Sequence, residues 1–364
     1  MVFDTRNHRE FPSPYAAPGL LTAETQLPPG PPPASIDFLL LVSAPPVLGP
    51  SLVDHIGVPL LVGGIDAYSV IKFKLEEHDA RRPCDGRAMD PFDGQTFVDL
   101  ESWFANDVAF ERLLARLADY PHVVVFSGDV HFSCTLALDY WRQCKLPPIT
   151  TKPISRIVQV TSSGARNHQF DIAQSLLRSY LLTQALLAMG APATRLGWTT
   201  NTPTPISGAE AAPRPLRARL RGEPVFVPAE GWPAGASLLR PPDFAWRLNV
   251  IGDMRAEADR PEQARAPPSV AFDPGQPLKG YAAAVFRHSD SVPAAVPMRR
   301  IVFQHNVGLV RFRRGVNGLT LINEILSRNE LHVPPPEQAE VNTVHEVPLS
   351  PPPDPCPILQ TSGP

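Results

Sequence analysis

Short apolar runs and polar turns alternate along the chain in a pattern that is typical of α/β folds. Ile36–Val42 is a largely apolar run of strand length that stops at the prolines after Ser43, as expected of a strand covered on both faces. From Leu100 to Tyr120, apolar residues recur mostly at helical spacing and predict an amphipathic helix. The apolar side of this helix, which includes Trp103 as a core residue, needs a sheet to pack against.

Two further strands are predicted, and each ends in a small polar loop. Val123–Phe126 is an uncharged, mostly β-branched run followed by Ser127-Gly128-Asp129-Val130-His131. Ile157–Val160 is followed in the same way by Thr161-Ser162-Ser163-Gly164, which leads into a predicted helix over residues 167–189. The carboxyl ends of strands collect the ligand-binding groups in sheets of this kind, so both loops are candidate sites.

The rest of the chain is rich in proline and glycine. The 45 prolines and 23 glycines together exceed the share of about 12% in ordinary domains. Residues 191–243 and 256–279 have little periodicity and are interpreted as long insertions or disordered loops. No core pattern follows Val333, which predicts a disordered tail. Weaker strand patterns occupy Phe244–Ile251 and Tyr281–His288. Arg300–Arg313 is interpreted as two strand pieces hinged near Asn306-Val307-Gly308. Leu319–Leu326 is interpreted as a third piece or a short helix.

Charge and targeting signals exclude several classes of function. The 33 basic and 36 acidic residues give a net charge of -3, so no bulk positive field attracts nucleic acid. A short basic run at Arg217, Arg219 and Arg221 is typical of a solvated loop. The first twenty residues contain charges and prolines where a signal peptide has an apolar run, and no apolar run is long enough to span a membrane. We therefore expect a cytoplasmic protein with no membrane or nucleic-acid partner.

Familiar nucleophile and nucleotide-binding motifs are absent from the sequence. There is no G-x-S-x-G elbow, no P-loop and no G-x-G-x-x-G at a strand–helix junction. The four cysteines form no C-x-x-C pair, which favours reduced, structural thiols. Cys134 lies three residues after His131 but has no base or cationic helix end that its spacing would guarantee. Metal chemistry remains the most specific possibility.

The strongest chemical signal is Gly128-Asp129-Val130-His131, directly after an apolar strand. A carboxylate and an imidazole two residues apart can face one cavity if the backbone turns there, and Gly128 permits such a turn. The carboxylate suits a hard cation, and neutral imidazole suits iron, manganese or zinc. The alternative is that both side chains are simply exposed at a strand end.

Weaker candidates lie elsewhere. Arg6, in Asp4-Thr5-Arg6 after Val2-Phe3, could bind phosphate oxygens, or it could be a surface residue on a frayed terminus. Ser162-Ser163-Gly164 could face a phosphate or cap the following helix. Three histidines could complete a metal shell or be structural: His168, His288 and His305.

Four blocks of sequence resemble the PhoD-like branch of the calcineurin-like metallophosphoesterases. VVVFSGDVHFS, with the helix DLESWFANDVAFERLLARL before it, is similar to the last metal-ligand block of that branch, and RIVQVTSSG follows it in the same order. VFDTRNHR resembles the aspartate–arginine signature of the branch, and Gln304–Phe312 resembles its late strand. The resemblance covers roughly residues 1–165 and 300–325.

The resemblance implies a fold, a site and a reaction. The family fold is a four-layer α/β/β/α sandwich with a two-metal site at the sheet edges, here only partial and with long Pro-rich loops. Asp129 and His131 would be metal ligands for divalent or mixed ions (Fe, Ca, Mn or Zn), and Arg6 would face the substrate phosphate. The implied reaction is metal-dependent hydrolysis of phosphate mono- or diesters, by in-line attack of a metal-bound hydroxide.

One departure from the family pattern changes this expectation. In the family, ligand blocks of the D-x-H, G-D and G-N-H types precede the aspartate–arginine signature, whereas here Met1 stands three residues before Asp4. Asp129 and His131 supply two ligands, and such ions take about four to six. The chain is therefore either a PhoD-like phosphoesterase or a truncated relative that would be inactive alone and would not retain its metals. The departure fits a truncated product or fragment, a misplaced start, or a relative that has abandoned catalysis.

The sequence also predicts a division into regions and a second possible function. We expect a metallophosphatase-like core over 1–165, a helix and partly disordered Pro/Arg-rich insertion over 166–299, closing strands over 300–333, and a disordered Pro-rich tail over 334–364. The alternative function is that of a noncatalytic interaction protein. Its ligands for partner domains would be the proline segments 28–33, 334–336 and 351–353.

Overall fold

The fold is described from a computed structural model of the chain. The described residues are 1–5, 20, 38–49, 103, 107–130, 132–142, 152–162, 193–197, 206–207, 225–227, 237–238, 243–256, 259, 300–302, 306–328, 340–353 and 356. In chain order the elements are β1 (Leu39–Ser43), α1 (Asp107–Leu117), β2 (His122–Ser127), β3 (Ser133–Arg142), β4 (Ser155–Thr161), β5 (Ala193–Gly197), β6 (Ile206–Ser207), β7 (Val225–Val227), β8 (Ser237–Leu238), β9 (Phe244–Val250), β10 (Ile301–Val302), β11 (Asn306–Gly315), β12 (Gly318–Arg328) and β13 (Glu340–Pro348).

The larger sheet is mixed, with strand order β1-β2-β4-β3-β9-β5-β7. Strands β1, β2 and β4 are parallel, and β3 runs antiparallel to both β4 and β9. Strand β10 pairs with Ser133 and Cys134 at the start of β3. Strand β9 pairs with β3 further along, from Leu136 to Arg142. Strand β2 contains the continuous apolar run Val123–Phe126, and β4 is buried at every residue although it includes Arg156 and Gln159, as expected when both faces of a sheet are covered.

A second, three-stranded antiparallel sheet has the order β11-β12-β13. Val124 and Val158 of the larger sheet share one buried cluster with Leu321 and Val347 of the smaller sheet. On the opposite face, the alternate residues of β2 and β4 share a cluster with α1, whose contributors are Phe110, Leu113, Leu114 and Leu117. The described residues therefore form three successive layers, a helix, a mixed sheet and a small sheet, in a sheet-rich fold.

Most strand and helix predictions are confirmed where they fall on described residues. The run ending at Val42 forms β1, the helical spacing forms α1, and the runs 123–126 and 157–160 lie in β2 and β4. Trp103 is a core residue as expected, with 2% of its surface exposed. Leu319–Leu326 belongs to strand β12 rather than to a helix, because its inward residues alternate against the larger sheet. The predicted helix over 167–189 and the strand over 281–288 lie outside the described residues.

The prediction of a disordered tail over 334–364 is wrong for residues 340–353. Strand β13 pairs along its whole length with β12. Thr343, His345 and Val347 are buried at every second position, which is the period of a strand with one face in the core. The flanking prolines and the polar inward residues concealed this pattern in the sequence.

Two further expectations need correction. The interval 191–243 is not all loop, because β5 and β7 extend the larger sheet beyond β9 and β6 pairs with β8. The thiols are not all reduced, because Cys356 is disulfide-bonded, while Cys134 is free and buried. In the part of the chain that the structure describes, no helix has the length and apolar character needed to cross a bilayer.

Candidate functional site

One edge of the larger sheet collects the carboxyl ends of its parallel segments. Val2 bridges to Val42, Val42 pairs with Phe126, and Phe126 pairs with Val160, all in the parallel sense. The residues two positions later therefore lie at one level of this edge: Asp4, Ala44, Gly128 and Ser162. At about 4.8 Å between neighbouring strands, the N-terminal segment lies about 10 Å from β2.

The N-terminal residues are tied to this edge by backbone hydrogen bonds. The Phe3 amide donates to the Val42 carbonyl, and the Val42 amide donates to the Met1 carbonyl, both at 2.8 Å. The Phe3 ring lies 5.9 Å from the Trp103 ring, and Thr5 is only 4% exposed. The frayed-terminus alternative is therefore wrong for residues 1–5. Arg6 itself lies outside the described residues.

Asp129 has an unusual backbone conformation at the end of β2. Its φ is 62°, and it is the one non-glycine residue in the described part of the chain with a positive φ. The left-handed region disfavours most side chains, although aspartate and asparagine enter it more readily than others. The side chain is exposed at the sheet edge. The turn therefore depends on Asp129 and not, as the sequence suggested, on Gly128. His131 lies outside the described residues.

Hydroxyl and amide side chains occupy the same edge beside Asp129. The Ser127 and Thr161 hydroxyls are 2.9 Å apart and hydrogen-bonded. Asn306, at the start of β11, accepts through Oδ1 from the hydroxyl of Ser133 and, at 3.4 Å, from that of Ser162. The first contact joins the carboxyl ends of β2 and β4, and the Asn306 contacts join the start of β3 and the end of β4 to the smaller sheet.

Ser162 contacts β11, while the loop and helix on which its two suggested roles depend lie outside the described residues. Its hydroxyl accepts a hydrogen bond from the Gly308 amide at 3.1 Å, so its contacts are with β11. A Cβ atom at Gly308 would lie 3.3 Å from the Ser162 hydroxyl, which explains the glycine at this close approach. Ser163 and Gly164 lie outside the described residues.

An ion pair that the sequence analysis missed lies further along this edge. Asp253 follows β9, is 2% exposed, and accepts from Arg255 Nε at 3.0 Å and Nη2 at 2.6 Å. Asp253 also accepts from the Val344 amide, and Arg255 donates to the Asn342 carbonyl, so the pair connects β9 to β13. The Gly252-Asp253 sequence after a strand repeats the Gly128-Asp129 pattern and was the available signal.

Opposing effects act on the Asp253 carboxyl. Burial alone would raise its pKa, but the hydrogen bonds from Arg255 and from the Val344 and Arg255 amides, with the Arg255 charge, lower the pKa below its usual value. The carboxylate is therefore ionised and fully engaged in structural contacts, which separates it from the exposed Asp129.

The capacity to hold a metal is limited among the described side chains. No group of three or more histidine, cysteine, aspartate or glutamate residues is close enough there to hold an ion. Of the two predicted metal ligands, Asp129 lies among the described residues and His131 does not. The other histidines named from the sequence, His168, His288 and His305, also lie outside the described residues.

The remaining sequence candidates are placed only in part. The basic run 217–221 and the proline segments 28–33 and 334–336 lie outside the described residues. Pro351 and Pro352 are half-buried and Pro353 is exposed, directly after Ser350, whose carbonyl accepts from Arg156 at 3.4 Å.

Comparison of the chain with protein-family models, with curated proteins and with solved structures gives no significant match.

Proposed function

We propose that the chain carries one side of a PhoD-like metallophosphoesterase site, with Asp129 and His131 as metal ligands and Arg6 facing the phosphate. The substrates are phosphate mono- or diesters. Hydrolysis requires metal ligands beyond these two residues, because a divalent ion takes about four to six. With these two ligands alone, little or no turnover is expected.

The observation that carries the proposal is the shared sheet edge. Parallel pairing brings the Asp4-Thr5 segment, which leads to Arg6, to the same level as the Gly128-Asp129 turn, which leads to His131. The two blocks that resemble the family's phosphate-binding and metal-binding signatures are separated by more than 120 positions in sequence. Ligand sites of open α/β sheets form at this kind of edge.

The conformation of Asp129 supports the same function. A positive φ at a non-glycine residue is concentrated at functional sites, where the local strain is offset by the surrounding structure. In this conformation the carboxylate is exposed beyond the end of β2 rather than packed in the core.

Each residue has a separate chemical role in this proposal. The Asp129 carboxylate oxygens and a neutral His131 ring nitrogen suit a divalent cation such as Mn²⁺, Fe²⁺ or Zn²⁺. Arg6 would hold two phosphate oxygens through its planar guanidinium and orient the ester for in-line displacement. Divalent ions bound there would supply an activated water and stabilise the charge that develops on the phosphoryl oxygens.

We also propose that the complete fold is the four-layer α/β/β/α sandwich. The described helix, mixed sheet and small sheet correspond to three successive layers of such an architecture. The outer face of the small sheet carries exposed apolar side chains, Val307, Leu309 and Leu326, with Val307 and Leu326 directly paired across β11 and β12. A second layer of helices would cover this face.

The proposal is tested by binding of Mn²⁺ to the full chain, followed by electron paramagnetic resonance. With two protein ligands we expect a dissociation constant of about 0.1–1 mM or weaker. Asp129→Asn and His131→Ala should each abolish this binding. Asp119→Asn is the matched control, because it removes a carboxylate near the opposite end of β2, where Asp119 pairs with Arg116 at 2.8 Å.

Hydrolysis of bis(p-nitrophenyl) phosphate and p-nitrophenyl phosphate is measured in the same samples. We expect rates close to that of buffer with Mn²⁺, Fe²⁺, Ca²⁺ or Zn²⁺ added. Rapid turnover that His131→Ala abolishes would refute the incomplete site and establish a complete enzyme. Mn²⁺ binding that survives both ligand substitutions would refute the site itself.

A further inference from the structure

The segment that follows β1 forms one wall of the candidate edge. Residues 44–49 leave the sheet at Ser43, and the buried side chains of Val47 and Leu48 join the same cluster as α1. The Ser43 hydroxyl donates to the Pro45 carbonyl at 2.6 Å, which starts the bend. The segment therefore lies on the helix side of the sheet, against the ends of β2 and β4.

One buried side chain holds this segment in place. Gln159 of β4 accepts from the Leu48 amide through Oε1 at 2.7 Å and donates from Nε2 to the Leu48 carbonyl at 2.6 Å. The Nε2 group also donates to the Thr161 hydroxyl at 3.0 Å. Gln159 is fully buried, so its amide replaces the water that would otherwise satisfy the Leu48 backbone.

The contacts of Gln159 with the Leu48 backbone and with the Thr161 hydroxyl are each connected, through one further hydrogen bond, to the turn that contains Asp129. On the first route, the Ala44 carbonyl at the start of the segment accepts from the Gly128 amide at 3.1 Å. On the second, the Thr161 hydroxyl is hydrogen-bonded to the Ser127 hydroxyl at 2.9 Å. Gln159 is thus connected to both residues that directly precede Asp129.

We infer that Gln159 is a positioning residue for the Gly128–Asp129 turn, acting through the Leu48 backbone and the Thr161 hydroxyl. The inference that Gln159 affects metal binding rests on the proposed function, whereas the inference that it positions the turn does not. An amide is needed because it donates and accepts at once. Glutamate would lose the bond to the Leu48 carbonyl, and methionine would lose both bonds to Leu48 while keeping a similar shape.

The test is amide hydrogen exchange of the full chain by nuclear magnetic resonance, for the native protein, Gln159→Met and Gln159→Glu. We expect the Gly128 amide to exchange about tenfold faster in both variants, and the Leu48 amide to do so in Gln159→Met, as for the loss of about one buried hydrogen bond. In Gln159→Glu the carboxylate can still accept from the Leu48 amide. Val124, in the middle of β2, should keep its native exchange rate. Asn323→Leu is the control, since it removes another fully buried amide, one that donates to Thr135 at 3.0 Å between the two sheets.

Unchanged exchange of Gly128 in both Gln159 variants, with the Leu48 amide released in Gln159→Met, would overturn the inference. Equal acceleration of Gly128 by Asn323→Leu would also overturn it, because the effect would then be general destabilisation. Mn²⁺ binding measured alongside separates the two proposals. If the native protein binds Mn²⁺, Gln159→Met should weaken binding several-fold. If it does not, the metal site fails while Gly128 exchange still decides the role of Gln159.

Discussion

At the scale of single residues, the backbone of Asp129 is the feature most closely tied to the proposed function. Its φ of 62° is costly for most side chains, by about 1–2 kcal/mol. Asp129→Gly and Asp129→Ala remove the same carboxylate, but only glycine relaxes in this conformation. We expect Asp129→Gly to be about 1 kcal/mol more stable than Asp129→Ala in urea unfolding. Equal stabilities would show that the turn is not strained.

Buried charge is the second feature at this scale. Arg156 pairs with Asp139 across β3 and β4 at 2.7 and 3.0 Å and donates to the Pro348 carbonyl at 3.0 Å. Because Asp139→Ala leaves a buried guanidinium without its carboxylate, we expect a loss of about 3–5 kcal/mol in unfolding free energy.

The matched control for this loss is Glu346→Ala, which breaks the Arg313–Glu346 pair. Both partners are about half exposed, at 58% and 48%, so solvent screens their attraction. We expect a change below about 1 kcal/mol. Similar losses for the Asp139 and Glu346 variants would contradict the contrast between buried and exposed pairs.

At the scale of secondary-structure elements, β13 is the test of how the two sheets are joined. Val347 points from β13 into the inter-sheet core, whereas its neighbour Glu346 points outward. Val347→Asp places a carboxylate without a partner in that core, and we expect a loss of at least about 3 kcal/mol or failure to fold. Glu346→Gln should retain native circular dichroism. A folded Val347→Asp protein of native stability would mean that β13 does not pack there.

Acid should loosen β13 through Asp253. Because hydrogen bonds and the Arg255 charge lower the folded-state pKa below the ordinary value of 3.8, the ionised form stabilises the fold above that value. This stabilisation is lost as pH falls through the lower, folded-state pKa. We therefore expect Asp253→Asn to be less stable at pH 7 but to lose less stability on acidification below about pH 4. Parallel curves of unfolding free energy against pH would contradict this.

Local patterns predicted some elements well and others not at all. Strands β2 and β4 were predictable because their centres are rich in β-branched apolar residues, namely Val123–Phe126 in β2 and Ile157, Val158 and Val160 in β4. Strand β3 was missed although it is buried over nine of its ten residues. Its inward-facing Thr135 and Asp139 are satisfied by His345, Asn323 and Arg156, which are distant in sequence. Polar residues with such partners carry no local signature of burial.

At the scale of the whole molecule, the layer order connects the fold to the site. The helix covers one face of the mixed sheet and the small sheet covers the other. Polar side chains on this sheet can therefore reach solvent or a ligand mainly at the ends of the strands. The sequence predicted that Asp129 lies in a loop at a strand end, because it follows an apolar strand. It could not predict that β11 reaches this edge, since the Asn306 contacts with Ser133 and Ser162 depend on the packing of the two sheets.

The most direct test of the metal site is anomalous diffraction from crystals of the full chain grown with Mn²⁺. The account predicts a manganese peak about 2.0–2.6 Å from an Asp129 carboxylate oxygen and a His131 ring nitrogen. The peak should vanish in Asp129→Asn crystals and remain in Asp119→Asn crystals. Manganese found only elsewhere, or none beside Asp129 at millimolar metal, would contradict the account.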